Sequence, residues 1–197
     1  MLADRVRMSY IKKSSIPDYY VMATDSDFSG TADGEFKYIG SHEYVIIPHI
    51  IKGVNVTSYG GMFRENTSTV LKGIASDNPN VTNMSYMFYR SSATTLDLSS
   101  FDTSNVTDMS WMFRDSSATT LDLSSFDTSN VTYMVSMFQS SSATALDLSS
   151  FDTSNVTNTG SMFRDSNATT GYARTQADAN KFNASSNKPS TLVFVVK

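Results

Sequence analysis

The sequence predicts an α/β repeat protein, a solenoid of the leucine-rich-repeat type with short parallel strands and short helical segments. Three observations predict this fold. The decapeptide LDLSSFDTSN begins at residues 96, 121 and 146, so its copies lie 25 residues apart. Leucines recur at fixed places inside each copy. The dipeptide Met-Phe keeps the same period without a slip over five registers, at 62–63, 87–88, 112–113, 137–138 and 162–163.

Each repeat opens with a predicted strand. In TTLDLSSF, the alternation places Leu96, Leu98 and Phe101 on one face and polar residues on the other, as the two-residue period of a strand requires. Stacked copies of this strand would form a parallel sheet with an apolar inner face.

A turn and a helical segment complete the repeat. The short side chains of DTSN suit a turn or helix start, where they satisfy exposed backbone N–H groups. In VTDMSWMF, the residues Val106, Met109, Met112 and Phe113 have the spacing of one face of a short helix, which would pack behind the strand. Stacked copies also place Ser, Thr and Asn beside their own kind, so we expect polar ladders that hydrogen-bond along the solenoid axis.

The N-terminal part of the chain is different in kind from the repeats. Residues 1–53 predict a β-rich N-terminal cap or attachment module, with strands in DYYVMATD, GEFKYIG and EYVIIPHII. The polar residues 1–17 before these strands are expected to be loosely held. Residues 54–167 then form the predicted solenoid.

Residues 168–197 predict a C-terminal cap made of a helix and a strand. Gly171 takes the place that leucine occupies in the earlier copies. Thr175, with an acidic residue three positions later, has the pattern of a helix start. The last seven residues, TLVFVVK, predict a short final strand.

Composition excludes several functional classes. The net charge is −4 and no basic run occurs, so nucleic acid is not an expected partner. No stretch approaches the roughly 18 apolar residues of a membrane span, so no membrane insertion is expected. The chain has no cysteine, which removes disulfides and thiolate chemistry. No phosphate loop or dinucleotide fingerprint occurs, and we expect no cofactor.

The two histidines do not predict a catalytic or metal site. His42 and His49 are seven residues apart in the N-terminal β region, with Glu43 beside one of them. A metal or acid–base role would need a second partner and a convergence that this spacing does not provide. We therefore expect ordinary strand or loop histidines and no catalytic residue.

The outer face of the predicted sheet is the first candidate binding surface. Asp97, Asp122 and Asp147 would form one column, about 5 Å apart. Stacked carboxylates favour a cation or a basic partner, and the other interpretation is a solvated Asp copied by duplication. Such a face would suit a polysaccharide or a basic peptide. Its flanking columns are Thr95 and Thr120 on one side and Ser99, Ser124 and Ser149 on the other.

A second aspartate column belongs to the turn. It consists of Asp77, Asp102, Asp127 and Asp152. The glycine-rich spacing of calcium-binding β-rolls is missing, so capping of the turn explains this column better than calcium does, and no metal site is predicted.

Positions that vary between the copies indicate a second candidate surface. They lie on or just after the predicted helical segment and bring aromatic and basic residues together, a composition that binding hot spots favour. Exposed aromatic residues of this kind also pack over neighbouring loops, so both interpretations stand at this point. The residues are Tyr86, Tyr89, Arg90, Trp111 and Arg114.

The motif LDLSSFDTSNVTDMSWMF resembles the BspA-like leucine-rich repeat of bacterial surface proteins, over roughly residues 54–170. The resemblance implies a cell-surface or secreted adhesion and binding protein, and related repeats also occur in phage tail-associated proteins. No catalytic residue is known for this repeat, so none is carried over. The chain has no signal peptide and no cell-wall sorting motif, which departs from the surface-protein pattern and leaves a phage virion component or an isolated fragment of a larger protein as further expectations.

The sequence therefore predicts a non-enzymatic recognition module. Its expected partner is a protein or a glycan on a cell surface, and its expected location is extracellular or at the cell surface. A phage tail-associated structural or receptor-binding protein is the alternative, and a structural spacer without a ligand is the third interpretation. The sequence leaves the ligand and the oligomeric state open.

Overall fold

The computed structural model describes residues 18–30, 36–69 and 71–197, which wind into a parallel β-solenoid of about seven turns. The segment 1–17, predicted to be loosely held, lies outside the described residues. The described residues contain a 3₁₀ turn at Asp25–Asp27, twelve short strands and one α-helix. The strands are β1 (Val21–Met22), β2 (Phe28–Gly30), β3 (Phe36–Tyr38), β4 (Tyr44–Ile46), β5 (Ile50–Ile51), β6 (Val54–Asn55), β7 (Gly73–Ala75), β8 (Thr95–Asp97), β9 (Thr120–Asp122), β10 (Ala145–Leu148), β11 (Thr170–Ala173) and β12 (Val193–Val196), and the helix is α1 (Gln176–Asn183).

One strand from each turn enters a parallel ladder. The first ladder has the order β1-β4-β7-β8-β9, and the second has the order β10-β11-β12. Every neighbouring pair in both ladders is parallel, which confirms the predicted solenoid with short parallel strands. Two antiparallel hairpins, β2–β3 and β5–β6, stand outside the ladders.

The N-terminal strands continue the solenoid. Strands β1, β3 and β4 lie inside the three segments in which strands were predicted. Strand β4 pairs with β1 on one side and with β7 on the other, in parallel on both sides. The ladder of the repeats therefore runs on into the region predicted as an N-terminal cap.

The core repeats with the sequence. Leu96, Leu98 and Phe101 are buried, as are the corresponding residues of the next two copies apart from half-buried Leu121. The phenylalanines of the Met-Phe pairs stack in a column from Phe63 to Phe163, with successive ring centroids 5.4 to 5.9 Å apart. Because each ring covers the next, a turn buries its apolar face only when it has a neighbour.

The segments predicted as short helices form successive turns instead. In residues 84–91, the N–H of Tyr86 donates to the carbonyl of Ser110 in the next turn, whereas the N–H of Met87 donates back to Met84. A helix would direct every N–H to the carbonyl four residues back. Tyr86 and Arg90 also have positive φ angles of 58° and 54°, which a right-handed helix excludes. These residues therefore do not form the short helices of the predicted α/β repeat.

Polar side chains join one turn to the next, as the sequence predicts, and their acceptors are backbone carbonyls. Thr103 donates from Oγ1 to the carbonyl of Asp127 at 2.9 Å and accepts from the N–H of Asp127 at 2.9 Å. Asn and other Thr residues make comparable bonds at the same register of several turns. Examples are Thr128 to Asp152, Asn130 to Ser104, Asn155 to Ser129, Thr132 to Thr107 and Thr157 to Thr132.

The C-terminal helix closes the solenoid by replacing the missing next turn. Helix α1 begins after Thr175, whose side chain accepts from the N–H of Asp178, as the sequence predicts. Thr153, which has no further repeat to bond with, donates its N–H and its hydroxyl to Asp178 Oδ1 at 3.0 and 2.6 Å. Lys181 Nζ donates to the carbonyl oxygens of Thr153 and Val156. Side chains of α1 therefore satisfy backbone groups that face the end of the stack.

Asp178 is buried, with 2% of its surface exposed. Burial by itself opposes the charged form, but hydrogen bonds from Thr153 and Thr175 and the Arg174 guanidinium hold the pKa of Asp178 below its ordinary value. The carboxylate is thus charged at neutral pH and contributes to the stability of the C-terminal cap.

Gly171 is required by the final strand. A Cβ atom at this position would lie 2.5 Å from the ring of Phe194, which packs over it from β12. In the earlier copies leucine occupies this position, and here Phe194 fills the same part of the core.

No helix in the described part of the chain is long and apolar enough to span a membrane.

We expect Gly171→Ala to destabilise the protein by about 1–3 kcal/mol, because the added methyl overlaps the Phe194 ring. Urea unfolding measures the change. Gly160→Ala is the control, since its added Cβ would meet only the Asn158 side-chain oxygen, at 3.1 Å. Equal effects of the two substitutions would contradict the proposed packing of Phe194.

We expect Asp178→Asn to lower the free energy of unfolding at pH 7 by about 1–3 kcal/mol, because Thr153, Thr175 and Arg174 would lose the charged carboxylate to which they donate. The folded-state pKa of Asp178 is lowered. Its contribution is therefore present above the unfolded pKa of about 4 and is lost as the pH falls through the folded value. Unfolding measured from pH 7 to pH 2 should show wild type and variant converging at acid pH, and a constant difference would refute this assignment.

A candidate recognition surface

The predicted aspartate column lies partly in register. Asp97 pairs with Asp122, and Thr95 pairs with Thr120, in the ladder between β8 and β9. Asp147 belongs to the second ladder, where it pairs with Tyr172. The column is therefore continuous for its first two members and interrupted before the third.

Each aspartate of this column forms a local turn. Asp97 Oδ1 accepts from the N–H of Ser99 at 3.0 Å and from its hydroxyl at 2.6 Å. Asp122 accepts in the same way from Ser124, and Asp147 accepts from the N–H of Ser149. These bonds explain why Asp and Ser recur two residues apart, because a short acceptor side chain stabilises a turn at the strand end.

A groove of about 450 Å³ opens between β9 and β10, two described strands that share no ladder. Half-buried Leu121 lines it together with Asp122 and Asp147. Lys197 Nζ lies 2.5 Å from Asp147 Oδ2. Burial opposes the charged form, but the Lys197 and Ser149 hydrogen bonds hold the pKa of Asp147 below its ordinary value. The C-terminal lysine thus already supplies a cation to this part of the face.

The second predicted surface is compact, and we name it the arginine–aromatic patch. Tyr86 and Trp111 stack with ring centroids 4.7 Å apart and planes 20° from parallel. Tyr89 packs edge-on to Tyr86 at 5.9 Å. The structure brings together the residues that the sequence singled out and adds one more. The patch consists of Arg64, Tyr86, Tyr89, Arg90, Trp111 and Arg114.

Three guanidinium groups surround Tyr89. The Cζ atoms of Arg90, Arg64 and Arg114 lie 4.9, 5.3 and 5.8 Å from its ring centroid, within the range of cation–π attraction. The carboxylates of Glu65 and Asp115 contact these arginines at distances of 3.6 to 4.0 Å, longer than hydrogen bonds. Three arginines against two acids leave the patch positive in a chain whose net charge is −4.

Sequence reasoning missed Arg64, although the repeat contains a clue to it. Arg64 follows Met62-Phe63 as Tyr89 and Arg114 follow the next two Met-Phe pairs, so all three occupy one register position. The segment before Arg64, residues 55–63, is only a half-copy of the repeat, which conceals this correspondence.

The backbone conformation at two aromatic residues of the patch is strained. Tyr86 and Trp111 have φ angles of 58° and 57°, a left-handed conformation that bulky residues avoid. The corresponding residues of the other turns are Gly61, Ser136 and Ser161, also with positive φ. The fold therefore accepts small residues at this position. Strain of about 1 kcal/mol or more at the two aromatic positions indicates that these side chains have a role other than supporting the fold.

His49 has a partner that the sequence did not indicate. Its Nε2 lies 2.8 Å from Asp77 Oδ1, in a cleft of about 570 Å³ that Asp102 also lines. His42 Nδ1 lies 3.0 Å from the hydroxyl of buried Tyr38.

Among the described residues, no group of three or more His, Asp or Glu side chains is arranged to hold a metal ion. Asp102, Asp127 and Asp152 each accept from the N–H two residues later, as turn caps do.

Comparison with known proteins identifies one family. A family model described as "Mycoplasma protein of unknown function, DUF285" matches residues 57–175, more than half of the chain. No curated protein and no solved structure matches the chain. The matched range contains every residue of the arginine–aromatic patch and ends at Thr175, the residue that caps the N-terminus of helix α1.

We expect Asp122→Asn to change the free energy of unfolding by less than about 0.5 kcal/mol, since the asparagine oxygen can accept the same bonds from Ser124. Asp122→Ala removes the acceptor and should cost about 1 kcal/mol. Urea unfolding of both variants at pH 7 compares them. A gain of more than about 1 kcal/mol from Asp122→Asn would instead mean that repulsion from Asp97 dominates at this position.

Proposed function

The chain belongs to the DUF285 family, and from that premise we propose that it is a non-enzymatic recognition module that binds a protein or a glycan through the arginine–aromatic patch. The solenoid supplies a stiff framework for this role. The patch supplies the side chains that contact the partner.

The observation that carries the proposal is the pair of stacked aromatic residues in left-handed backbone. Tyr86 and Trp111 replace the glycine or serine found in other turns, and both remain partly exposed. Residues that strain a fold and are dispensable to it are typical of functional sites. Aromatic residues and arginine are also the residues that dominate binding energy in interfaces.

The rest of the molecule supports a binding role more than a chemical one. The inward side chains form a filled core, and the recurrent Asp, Thr and Asn side chains bond to neighbouring backbone groups. The similarity of the repeat to BspA-like surface proteins favours adhesion as the purpose of binding. On the same ground we propose that the protein acts at a cell surface or outside the cell.

The sheet face is the less favoured surface. Its aspartates are engaged in turns, and Asp147 is paired with Lys197. A partner that bound there would have to compete with bonds that the fold already makes.

The test is saturable binding of the fluorescently labelled protein to a panel of bacterial and animal cells. We expect the double variant Tyr86→Ser/Trp111→Ser to lose at least tenfold in affinity for any cell class that the wild type binds, because about 1.4 kcal/mol or more of contact is removed. The serines match Ser136 and Ser161, which adopt the same positive φ, so the fold is expected to persist. Far-UV circular dichroism and thermal unfolding verify it.

The matched control is Asp97→Asn/Asp122→Asn/Asp147→Asn, which keeps the turn acceptors and removes the charge of the sheet face. Loss of binding in this control, with binding retained in the serine variant, would transfer the site to the sheet face. Absence of saturable binding to every cell class would overturn the recognition proposal and favour a structural role.

A further inference from the structure

A cleft of about 340 Å³ lies beside the patch, between the β2–β3 hairpin and the first turns of the solenoid. The cleft shares two side chains, Arg64 and Tyr86, with the arginine–aromatic patch. The walls include Lys37, Ser58, Gly61, Arg64, Asn83 and Tyr86.

Gly61 leaves space in this cleft beside Tyr86. The register position of Gly61, Tyr86 and Trp111 runs through three adjacent turns, since the N–H of Gly61 donates to Ser85 and that of Tyr86 donates to Ser110. Trp111 covers Tyr86 on one side. On the other side Gly61 has no side chain, and a Cβ added there would have nothing nearer than Arg64 Cβ, at 3.8 Å. The Arg64 guanidinium also lies over Tyr86, with its Cζ 5.9 Å from the ring centroid. The Tyr86 ring therefore borders the cleft beside a positive charge.

The described polar groups of the cleft are mainly hydrogen-bond donors. Ser58 Oγ already accepts from the N–H of Gly60, and Asn83 Oδ1 already accepts from the N–H of Ser85, so a hydroxyl and an amide nitrogen remain to donate. Lys37 and Arg64 add two positive charges. The Arg64 contact with Glu65, 3.8 Å from Nε to Oε1, is too long for a hydrogen bond.

A ligand for this cleft must supply acceptors, negative charge and a flat apolar face. A peptide would bring backbone N–H groups that need acceptors, which the described walls offer in small number. A sugar brings hydroxyl oxygens and ring oxygens, and the C–H face of its ring fits against an aromatic face. A carboxylate on that sugar would complement Lys37 and Arg64, because charge-assisted hydrogen bonds to a carboxylate are the strong ones.

We propose that this cleft binds a carboxylate-bearing sugar unit of an acidic polysaccharide, with the sugar ring beside Tyr86 in the space left by Gly61 and its carboxylate between Lys37 and Arg64. The inference rests on the proposed function, since it assigns the ligand class of the same recognition surface. The cleft is the specific part of that surface, and the remaining arginines of the patch attract further acidic units along the polymer.

The test is isothermal titration calorimetry of the full chain with a hyaluronan octasaccharide and with sialyllactose, each compared with its methyl ester. At least one acid form should bind saturably, and its ester should bind at least tenfold more weakly. Poly-L-glutamate tests for acidic peptides and should not compete. Equal binding of acid and ester, preference for poly-L-glutamate, or no binding of either sugar would overturn the proposal.

Gly61→Trp is the decisive variant. It places at position 61 the residue that position 111 already has in the same backbone conformation, and so it fills the cleft while leaving Tyr86 in place. We expect sugar binding to fall at least tenfold. The control is Ser161→Trp, the same residue at the same register position of a distant turn, which should bind as wild type does. Unchanged binding by Gly61→Trp would exclude the cleft.

Lys37→Met removes a positive charge from the cleft and keeps a side chain of similar length. Because Lys37 is exposed on strand β3, we expect the fold to tolerate the change. It should weaken the acid form about tenfold and leave the ester unaffected. The two proposals fail separately. If the serine variant loses cell binding but no acidic sugar binds, the recognition module stands and only its ligand assignment falls.

Discussion

The fold depends on backbone hydrogen bonds between residues of adjacent turns. Tyr86 donates to Ser110 and Trp111 donates to Val135, and each turn repeats the arrangement. A residue inserted within one repeat would shift that turn against its neighbours, which fits the constant period of the Met-Phe pairs. The same dependence makes the last turn incomplete, and the side chains of Asp178 and Lys181 take over the partners that another turn would have supplied.

Much of the framework follows from the sequence. Leu96, Leu98, Phe101 and the Met-Phe pairs are periodic because each turn buries the same face, so a pattern of inward residues predicts a stack of parallel strands. The C-terminal helix was predicted from Thr175 because capping depends on residues close together in the chain. Both are local or strictly repeated relationships, which sequence reasoning handles well.

The features that the sequence did not predict involve backbone geometry or distant contacts. The spacing of Val106, Met109, Met112 and Phe113 satisfies a helix as well as it satisfies tight turns, so apolar periodicity could not reveal the left-handed residue at Trp111. Arg64 joined the patch through stacking of turns. The aromatic and basic residues of the patch were predicted to be together because they occupy variable positions of adjacent copies. Their binding role remains the proposal.

The strand ladder is interrupted between β9 and β10. On the opposite side the two turns remain bonded, with Met134 N–H donating to Asn158 and Phe138 N–H donating to Met162 at 3.0 and 2.8 Å. On the strand side, bonds beside the strands join the same two turns, from Thr144 N–H to Thr119 at 3.4 Å and from Ser150 Oγ to Leu123 at 3.0 Å. The junction nevertheless lacks the strand-to-strand bonds of the first ladder, so under a pulling load we expect it to separate before that ladder does.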